Sequence, residues 1–375
     1  MRSGTAHLPL HTGRAPAWLF GRMVKLAREI TCHVVGEYGN EEMLRRLSDP
    51  FWFQAFGCVL GFDWHSSGVT TTVTGALKEG VKGLEKELGF YAGGGKGAVS
   101  RRTPFEITTA CEALSIDPAP LVRASRMSAK VDSAAVQDGY QLYHHAFFFT
   151  SSGAWCVVQQ GMHDTNGMAR RYHWLAEQVT SYVVEPHAAV CAEAPAPTLN
   201  LVAAESDPVR TASAELARQK PDVVLSALRS LPALTMPRRH AVLIADVRPT
   251  YLEKILLKTW ERAPEDFETL IGMEGVGART LRALALVSEV IYGTPASTRD
   301  PARFSFAHGG KDGTPFPVDR ETYDKTIDVL RAAVTRANLD RSERVKALKR
   351  LVEYGETRVR ERLKQTAPEA GSAEG

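Results

Sequence analysis

The residues best suited to chemistry lie between positions 138 and 173, around one predicted pair of strands. They combine acids, imidazoles, amides and guanidinium groups: Asp138, His144, His145, Gln159, Gln160, His163, Asp164, Arg170, Arg171 and His173. An acid on one strand with polar residues on the next can hold a divalent cation and orient a water molecule for attack on a phosphodiester. We therefore predict catalytic roles here for Asp138, His145 and Gln160, with Asp138 and Asp164 as ligands of magnesium or manganese.

The neighbouring residues leave a second interpretation of this cluster open. In a strand, alternate side chains point to opposite faces, so His144 and His145 cannot both point to the same site. Metal-dependent nucleases carry a lysine and a second acid on the following strand, where this chain has Gln159 and Gln160. The alternative is that two buried glutamines serve only as hydrogen-bonding groups of the core.

Asp63 and His65 form a second polar cluster, which follows an apolar run that we expect to be a strand, FGCVLGF from residue 56. Hydroxyl groups surround them at positions 66, 67, 70 and 71. Asp63 and His65 are predicted to join the catalytic site, with Asp63 as a metal ligand. Alternatively, Ser67 or Thr71 caps a helix that runs through Lys78.

A glycine-rich stretch, YAGGGKGAVSRRTP from residue 91, combines bare backbone with three cations, Lys96, Arg101 and Arg102. Backbone N–H groups and positive charge suit a phosphate, although a solvated flexible loop has the same composition. The spacing GxxxxGK(S/T) is absent, so we expect no nucleotide cofactor. With Arg170 and Arg171, these cations are predicted to position a nucleic-acid strand.

A glycine-bracketed turn, Gly275-Val276-Gly277, separates two apolar helical patterns within residues 266–293. Glycine permits positive φ and lets backbone N–H groups approach an anion, and the positive end of the second helix faces the same point. Arg279 and Thr280 follow directly and would extend the contact. An ordinary turn between two core helices is the alternative.

This segment resembles the helix-hairpin-helix of DNA repair and recombination proteins, whose hairpin has the approximate pattern apolar-x-GVG-x-(K/R)-T. The resemblance implies that Gly275, Val276, Gly277, Arg279 and Thr280 bind the phosphate backbone of duplex or branched DNA without base recognition. RNA remains open as a target.

In one class of DNA glycosylases this motif is followed by a Gly/Pro-rich loop and a catalytic aspartate, which would be Asp319 here. The 42 residues from Gly277 to Asp319 are about twice the spacing of that family. The lysine that such enzymes use for Schiff-base chemistry is Arg279, which cannot act as an amine nucleophile. The alternative role for Asp319 is the N-cap of a helix that begins at Arg320.

These motifs require an α+β fold. We predict a mixed α+β domain with an antiparallel hairpin over residues 1–190, a linker over 191–206, and an all-helical domain over 207–365 that contains the helix-hairpin-helix. Residues 366–375 have the composition of a disordered tail. The predicted strands cover 141–150 and 154–159, around Ser151-Ser152-Gly153.

Composition narrows the function classes. The chain has 375 residues, 44% of them hydrophobic, and a net charge of only +3, so a nucleic-acid surface must be a local patch. Its five cysteines form no C-x-x-C pair, which argues against a zinc ribbon or disulfide framework and favours the cytoplasm. No apolar run is long enough for a bilayer and the first residues lack a secretory signal, so no membrane partner is expected.

Over residues 1 to 365 the chain resembles the family known as domain of unknown function 763. The resemblance lies in MRSGTAHLPLHTGRAP, FQAFGCVLGFDWHSSGVTT, GGGKGAVSRRTP, YHHAFFFTSSGAWCVVQQGM and RFSFAHGGKDGTPFPVD. It carries no activity and no catalytic residue with it. From the residues, the leading hypothesis is a DNA-binding and DNA-processing protein, a metal-dependent nuclease of repair or recombination. The alternatives are a non-enzymatic DNA-binding adaptor and a monofunctional glycosylase that uses Asp319.

Overall fold

The computed structural model describes residues 15–62, 68–163, 167–192, 195, 198–230, 249–303, 320–337, 339–340 and 342–351. Its helices are α1 (Ala17–Tyr38), α2 (Asn40–Ser48), α3 (Pro50–Leu60), α4 (Gly68–Val81), α5 (Glu85–Leu88), α6 (Thr103–Leu114), α7 (Ala119–Ala134), α8 (Asp207–Ala217), α9 (Pro221–Ser230), α10 (Pro249–Arg262), α11 (Phe267–Gly272), α12 (Ala278–Tyr292) and α13 (Arg320–Arg336). Its strands are β1 (Phe90–Lys96), β2 (Val136–Gln137), β3 (Tyr140–Thr150), β4 (Trp155–His163), β5 (Ala169–Leu175), β6 (Ala189–Cys191) and β7 (Leu199–Asn200). The predicted α+β class is confirmed.

A five-stranded antiparallel sheet in the order β1-β3-β4-β5-β6 forms the middle layer. The predicted hairpin is present as β3 and β4, in a register that pairs His145 with Gln159 and Phe147 with Val157. Alternation then sends Phe147 and Phe149 to one face of the sheet and Phe148 to the other, where each joins a separate apolar core.

One face of the sheet is covered by α1 to α4, α13 and the helical residues 342–351. Helix α3 is buried along its whole length. The helix begins at Pro50, and Asp49 is its N-cap, accepting a hydrogen bond of 2.8 Å from the backbone N–H of Phe51. Its C-cap is Gly61, where φ is +104°. The prediction of a strand at FGCVLGF is therefore wrong, because an apolar run without periodicity does not distinguish a strand from a fully buried helix.

The other face is covered by α6, α7 and the helices α8 to α12. Leu270 and Leu284 of the later helices share one continuous core with Phe147 and Tyr172 of the sheet. Part of the predicted linker is structured, since β7 pairs with β2. The division into two domains stays a prediction, but the core crosses the proposed boundary.

The glycine-rich stretch is an edge strand rather than a flexible loop. Gly93, Gly94 and Gly95 lie in β1, which pairs with β3. A Cβ atom at Gly94, where φ is +85°, would clash with the carbonyl oxygen of His145, so only glycine fits there. A 3-10 turn over Gly97–Arg102 then leads into α6.

Candidate functional site

The sheet brings together most of the residues of the predicted active site, but it distributes them between its two faces. His145 reaches α7, where its Nε2 lies 2.9 Å from Ser125 Oγ. His144 points to the opposite face, with its Nε2 2.9 Å from Thr74 Oγ1 in α4. The prediction that the two histidines cannot serve one site is confirmed.

Asp138 is the counter-ion of a buried arginine. Arg170 Nη1 lies 3.0 Å from Asp138 Oδ2, and its two Nη atoms donate to Asp300 at 2.9 and 2.6 Å. Tyr172 Oη donates to Asp138 Oδ2 at 2.6 Å and the N–H of Tyr140 to Asp138 Oδ1 at 3.0 Å. Burial alone would lower the pKa of Arg170, but the two carboxylates raise it above its ordinary value. Both oxygens of Asp138 are thus engaged, which suits an ion pair better than a metal ligand.

Asp132, which the sequence did not single out, is the centre of a second buried network. It accepts hydrogen bonds from Gln159 Nε2 at 2.6 Å and from Trp174 Nε1 at 3.0 Å, and His187 Nε2 also contacts it. Since Gln159 donates to Asp132, its Oε1 faces His145 Nδ1 at 2.7 Å and fixes the proton on that nitrogen. His145 Nε2 then accepts from Ser125.

The alternative interpretation of the glutamines, as hydrogen-bonding groups of the core, therefore holds for Gln159. Gln160 is also buried and donates through Nε2 to Tyr143 Oη. A usable signal for Asp132 was present in the sequence, because Asp132 and Ser125 are polar residues at apolar-stripe positions of α7.

Arg170 and Arg171 do not fit the role of surface contacts for a strand, because both are fully buried. Arg171 donates through Nε to His173 at 2.8 Å and through Nη1 to Gln54 at 3.2 Å, and it stacks over the ring of Phe53. These arginines join β5 to the elements on either side of the sheet.

Asp63, His65, Asp164 and Asp319 lie outside the described residues. Within the described ranges, no group of three or more His, Cys, Asp or Glu side chains is arranged to hold a metal ion. The magnesium or manganese site therefore stays a prediction, as does the glycosylase role of Asp319.

Lys96, Arg101 and Arg102 are exposed where β1 ends and the 3-10 turn begins. Their role in positioning a nucleic-acid strand stays a prediction. This end of β1 belongs to the face that carries His144, since Lys96 pairs with His144 across β1 and β3.

The glycine-bracketed turn joins α11 to α12 as predicted. Asp266 caps α11 by accepting from the N–H of Thr269 at 2.7 Å. Gly275 has a φ of +89°, whereas Gly277 is extended at −143° and is the N-cap of α12. Gly277 has no side chain with which to cap the helix, and no heavy atom lies within 4 Å of the position that a Cβ atom would take there. The first amides of α12 therefore begin at an open surface.

Side chains around this turn divide into core and surface. Val276 and Thr280 are buried, at 1% exposure each, so neither side chain can contact a strand as the resemblance implied. Arg279 is exposed. The apolar residues of the hairpin thus serve the core, and its glycines and arginine serve the surface.

Helix α7 adds one further cation, Lys130, beside the turn. Lys130 Nζ donates to the carbonyl oxygen of Met273 at 3.3 Å, at the end of α11. Its pKa is lowered by burial, against an opposing effect of Glu274. Gln137 bridges to α12, donating to the carbonyl of Ala278 at 2.9 Å and accepting from Arg282 Nε at 2.7 Å. We call Lys130, Gly275, Gly277, Arg279 and Arg282 the hairpin surface.

None of the described helices combines the length and apolar character needed to cross a bilayer. No curated protein and no solved structure matches the chain. The family described as "Protein of unknown function (DUF763)" matches residues 4–318. The chain belongs to that family.

Proposed function

We propose that the protein binds DNA through its phosphate backbone, and that the α11–α12 hairpin is a helix-hairpin-helix whose hairpin surface makes the contact. The observation that supports this most is the open, uncapped start of α12 at Gly277, next to the exposed Arg279. Amides without a capping partner, at the positive end of a helix of 15 residues, form a binding site for a phosphate oxygen.

The electrostatics of the hairpin surface agree with this proposal. Three cations, Lys130, Arg279 and Arg282, surround the turn, and Glu274 is an exposed acid beside them. A charge at a helix terminus contributes about 0.3–1 kcal/mol when exposed, so one phosphate alone binds weakly. Useful affinity requires several phosphates, which a polymer supplies and a free phosphate ion does not.

The alternative, an ordinary turn between core helices, explains the buried residues of the hairpin equally well. It does not explain why the N-cap of a long helix is a glycine with open space beside it, since Ser, Asp or Asn would stabilise α12 by roughly a few tenths of a kcal/mol more. A missing cap that leaves amides open is expected where a ligand supplies the acceptor.

Fluorescence anisotropy with a labelled duplex and a branched DNA tests the proposal. Gly277→Glu places a carboxylate at the N-cap of α12 without a steric clash, and should weaken DNA binding at least tenfold through repulsion of phosphate. Gly36→Glu is the matched control, because Gly36 is an exposed glycine of α1 where an added Cβ atom would also meet nothing within 4 Å. It adds the same charge elsewhere and should bind like the wild type.

If both variants bind DNA as tightly as the wild type, the hairpin surface is rejected as the contact. A loss of binding in both would assign the effect to net charge alone. Tight binding of a matched RNA duplex in the same series would change the partner from DNA to RNA without changing the contact.

Metal-assisted cleavage of the bound strand is the finer part of the proposal. It rests on Asp63, His65 and Asp164, which lie outside the described residues, while Asp138 and His145 are engaged in buried networks. Incubation of labelled DNA with magnesium or manganese should release fragments, and Asp63→Asn should abolish the release. If that variant cuts like the wild type, Asp63 has no catalytic role, and the non-enzymatic adaptor becomes the better account.

A further inference from the structure

A cavity of about 440 Å³ lies between α4 and the edge strand β1, on the sheet face opposite to the hairpin surface. Its volume falls within the range of small-molecule sites in proteins. Phe20 and Phe148 contribute apolar wall, and the glycines of β1 contribute bare backbone. The glycine-rich motif that the sequence analysis singled out is thus one side of this cavity.

The glycine wall has a fixed shape. Gly94 cannot carry a side chain, and its backbone is held by two charged groups, Glu106 and Lys78, of which Lys78 also lines the cavity. The N–H of Gly94 donates to Glu106 Oε2 at 2.6 Å, and Lys78 Nζ donates to its carbonyl oxygen at 3.0 Å. Lys78 and Glu106 also pair with each other at 2.8 Å, so they neutralise one another. The edge strand therefore offers a stretch of backbone without side chains, at Gly93, Gly94 and Gly95, against which a planar group can lie.

His144 lines the same cavity and has one nitrogen without a partner. Thr74 Oγ1 lies 2.7 Å from the carbonyl oxygen of Thr70 and 2.9 Å from His144 Nε2. We assign the single hydroxyl proton to the Thr70 carbonyl, which makes His144 Nε2 the donor to Thr74. In this neutral tautomer Nδ1 carries a lone pair, and no atom of the described residues hydrogen-bonds to it although the imidazole is 2% exposed. A buried acceptor without a donor destabilises the folded protein, and a ligand N–H group would remove that cost.

Lys96 also lines the cavity, with its side chain exposed and its ammonium 5.7 Å from the ring of Tyr143. Arg101 and Arg102 follow on the exposed 3-10 turn. Of the acids, Glu79 lines the cavity and pairs with Lys82 at 3.7 Å, and Glu106 pairs with Lys78. The entrance thus has an excess of positive charge.

We propose that this cavity binds one nucleotide, with its base against Phe20, Phe148 and the glycine wall, a base N–H donating to His144 Nδ1, and its phosphate at Lys96. A nucleotide matches three features of the cavity. Its planar base can stack on the apolar and glycine wall, an N–H group of the base can donate to His144 Nδ1, and its phosphate can pair with Lys96. The nucleotide has two possible sources, a free mononucleotide and an unpaired residue of bound DNA. The second source rests on the function proposed above, whereas the affinity for a nucleotide does not.

Isothermal titration with dAMP, dCMP, dGMP and TMP, and with the matching nucleosides, tests the site in the full chain. Wild-type protein should bind at least one mononucleotide with a Kd below about 1 mM. His144→Phe should weaken that binding at least tenfold, because it removes the acceptor but keeps a ring of similar size. Lys96→Ala should weaken binding of the nucleotide more than binding of the nucleoside.

His144→Phe is also expected to fold, since Thr74 keeps its acceptor in Thr70 and the unpaired nitrogen disappears. Its unfolding free energy should equal or exceed that of the wild type. Lys86→Ala is the control variant, because Lys86 is an exposed lysine of α5 that does not line the cavity. It should bind nucleotides like the wild type.

Absence of mononucleotide binding by the wild type, or unchanged binding by a folded His144→Phe variant, would overturn the proposal. Weaker binding of single-stranded DNA by His144→Phe supports the strand as the source, and unchanged strand binding rejects that source. Gly277→Glu should leave mononucleotide binding unaltered, so a failure of the hairpin proposal is distinguishable from a failure of this one.

Discussion

At the scale of single residues, the polar cluster of the sheet serves mainly to neutralise charge inside the core. Arg170 forms ion pairs with Asp138 and Asp300. Asp132 accepts hydrogen bonds from Gln159 and Trp174 and also contacts His187. The sequence identified the cluster but not its partners. Asp300 lies 130 positions from Arg170, and no local spacing predicts such a pairing.

Loss of Arg170 should be strongly destabilising. Arg170→Met leaves two buried carboxylates without their cation, and removal of one partner from a buried ion pair costs about 3–5 kcal/mol. Arg299→Met is the control, because Arg299 pairs with Glu185 and Glu205 at the surface and such pairs contribute about 0–1 kcal/mol. Urea unfolding measures both. Equal costs would show that burial does not decide the strength of the Arg170 pairs.

Buried histidines should make stability depend on pH. Burial lowers the pKa of His144 to about 3 and the pKa of His173 well below 6.5, and it also lowers that of His145. Below pH 6.5 these histidines bind protons in the unfolded chain but stay neutral in the folded protein, so the free energy of unfolding falls as pH falls. Each such histidine contributes up to about 1.4 kcal/mol per pH unit.

Urea titrations at pH 6.5, 5.75 and 5 should therefore give a declining stability, and His144→Phe should reduce the slope by up to one proton. A slope that is unchanged in this variant would mean that His144 takes up a proton as readily in the folded state as in the unfolded chain.

At the scale of elements, the sequence predicted what local rules determine. Alternation with a Ser-Ser-Gly turn predicted β3 and β4, and the apolar spacing predicted α11 and α12 around Gly275 and Gly277. It failed where two structures share one pattern. The apolar run in α3 fits a buried strand as well as a buried helix, and the glycines of β1 are also typical of a loop, because the pairing with β3 is not encoded locally.

The two glycines of the hairpin should respond differently to alanine. Gly275→Ala forces a Cβ atom into a backbone with φ at +89°, 2.6 Å from Ile255 Cδ1, and should cost about 1–3 kcal/mol. Gly277→Ala meets no atom within 4 Å at a φ of −143°, so only the weaker N-cap preference of alanine acts, and stability should fall by less than about 1 kcal/mol. Thermal and urea unfolding compare them. Equal losses would indicate that Gly277 has a structural role that its geometry does not show.

At the scale of the whole molecule, one sheet separates two layers with different candidate surfaces. The hairpin surface lies on the layer of α7 to α12, and the nucleotide cavity lies on the layer of α4. The net charge is only +3 over 375 residues, so the protein as a whole does not attract a polyanion strongly. Binding of DNA therefore depends on where the cations lie on the surface. That placement follows from the three-layer packing and could not be predicted from the sequence.

Binding to DNA should depend steeply on salt. A plot of log Kd against log salt concentration has a slope of about 0.9 for each phosphate neutralised on duplex DNA. Arg279→Ala should reduce that slope by about one phosphate equivalent, while Arg22→Ala, an exposed arginine of α1, should not change it. A salt-independent affinity would contradict a backbone contact altogether.

Amide hydrogen exchange in the presence of DNA tests the central claim most directly, because it observes the N–H groups that are proposed to hold the phosphate. With saturating duplex DNA, the amides of residues 275–280 should exchange at least tenfold more slowly than in the free protein. In the Gly277→Glu variant at the same DNA concentration, that protection should disappear. Protection confined to other parts of the chain, with these amides exchanging at their free rate while DNA is bound, would contradict the account.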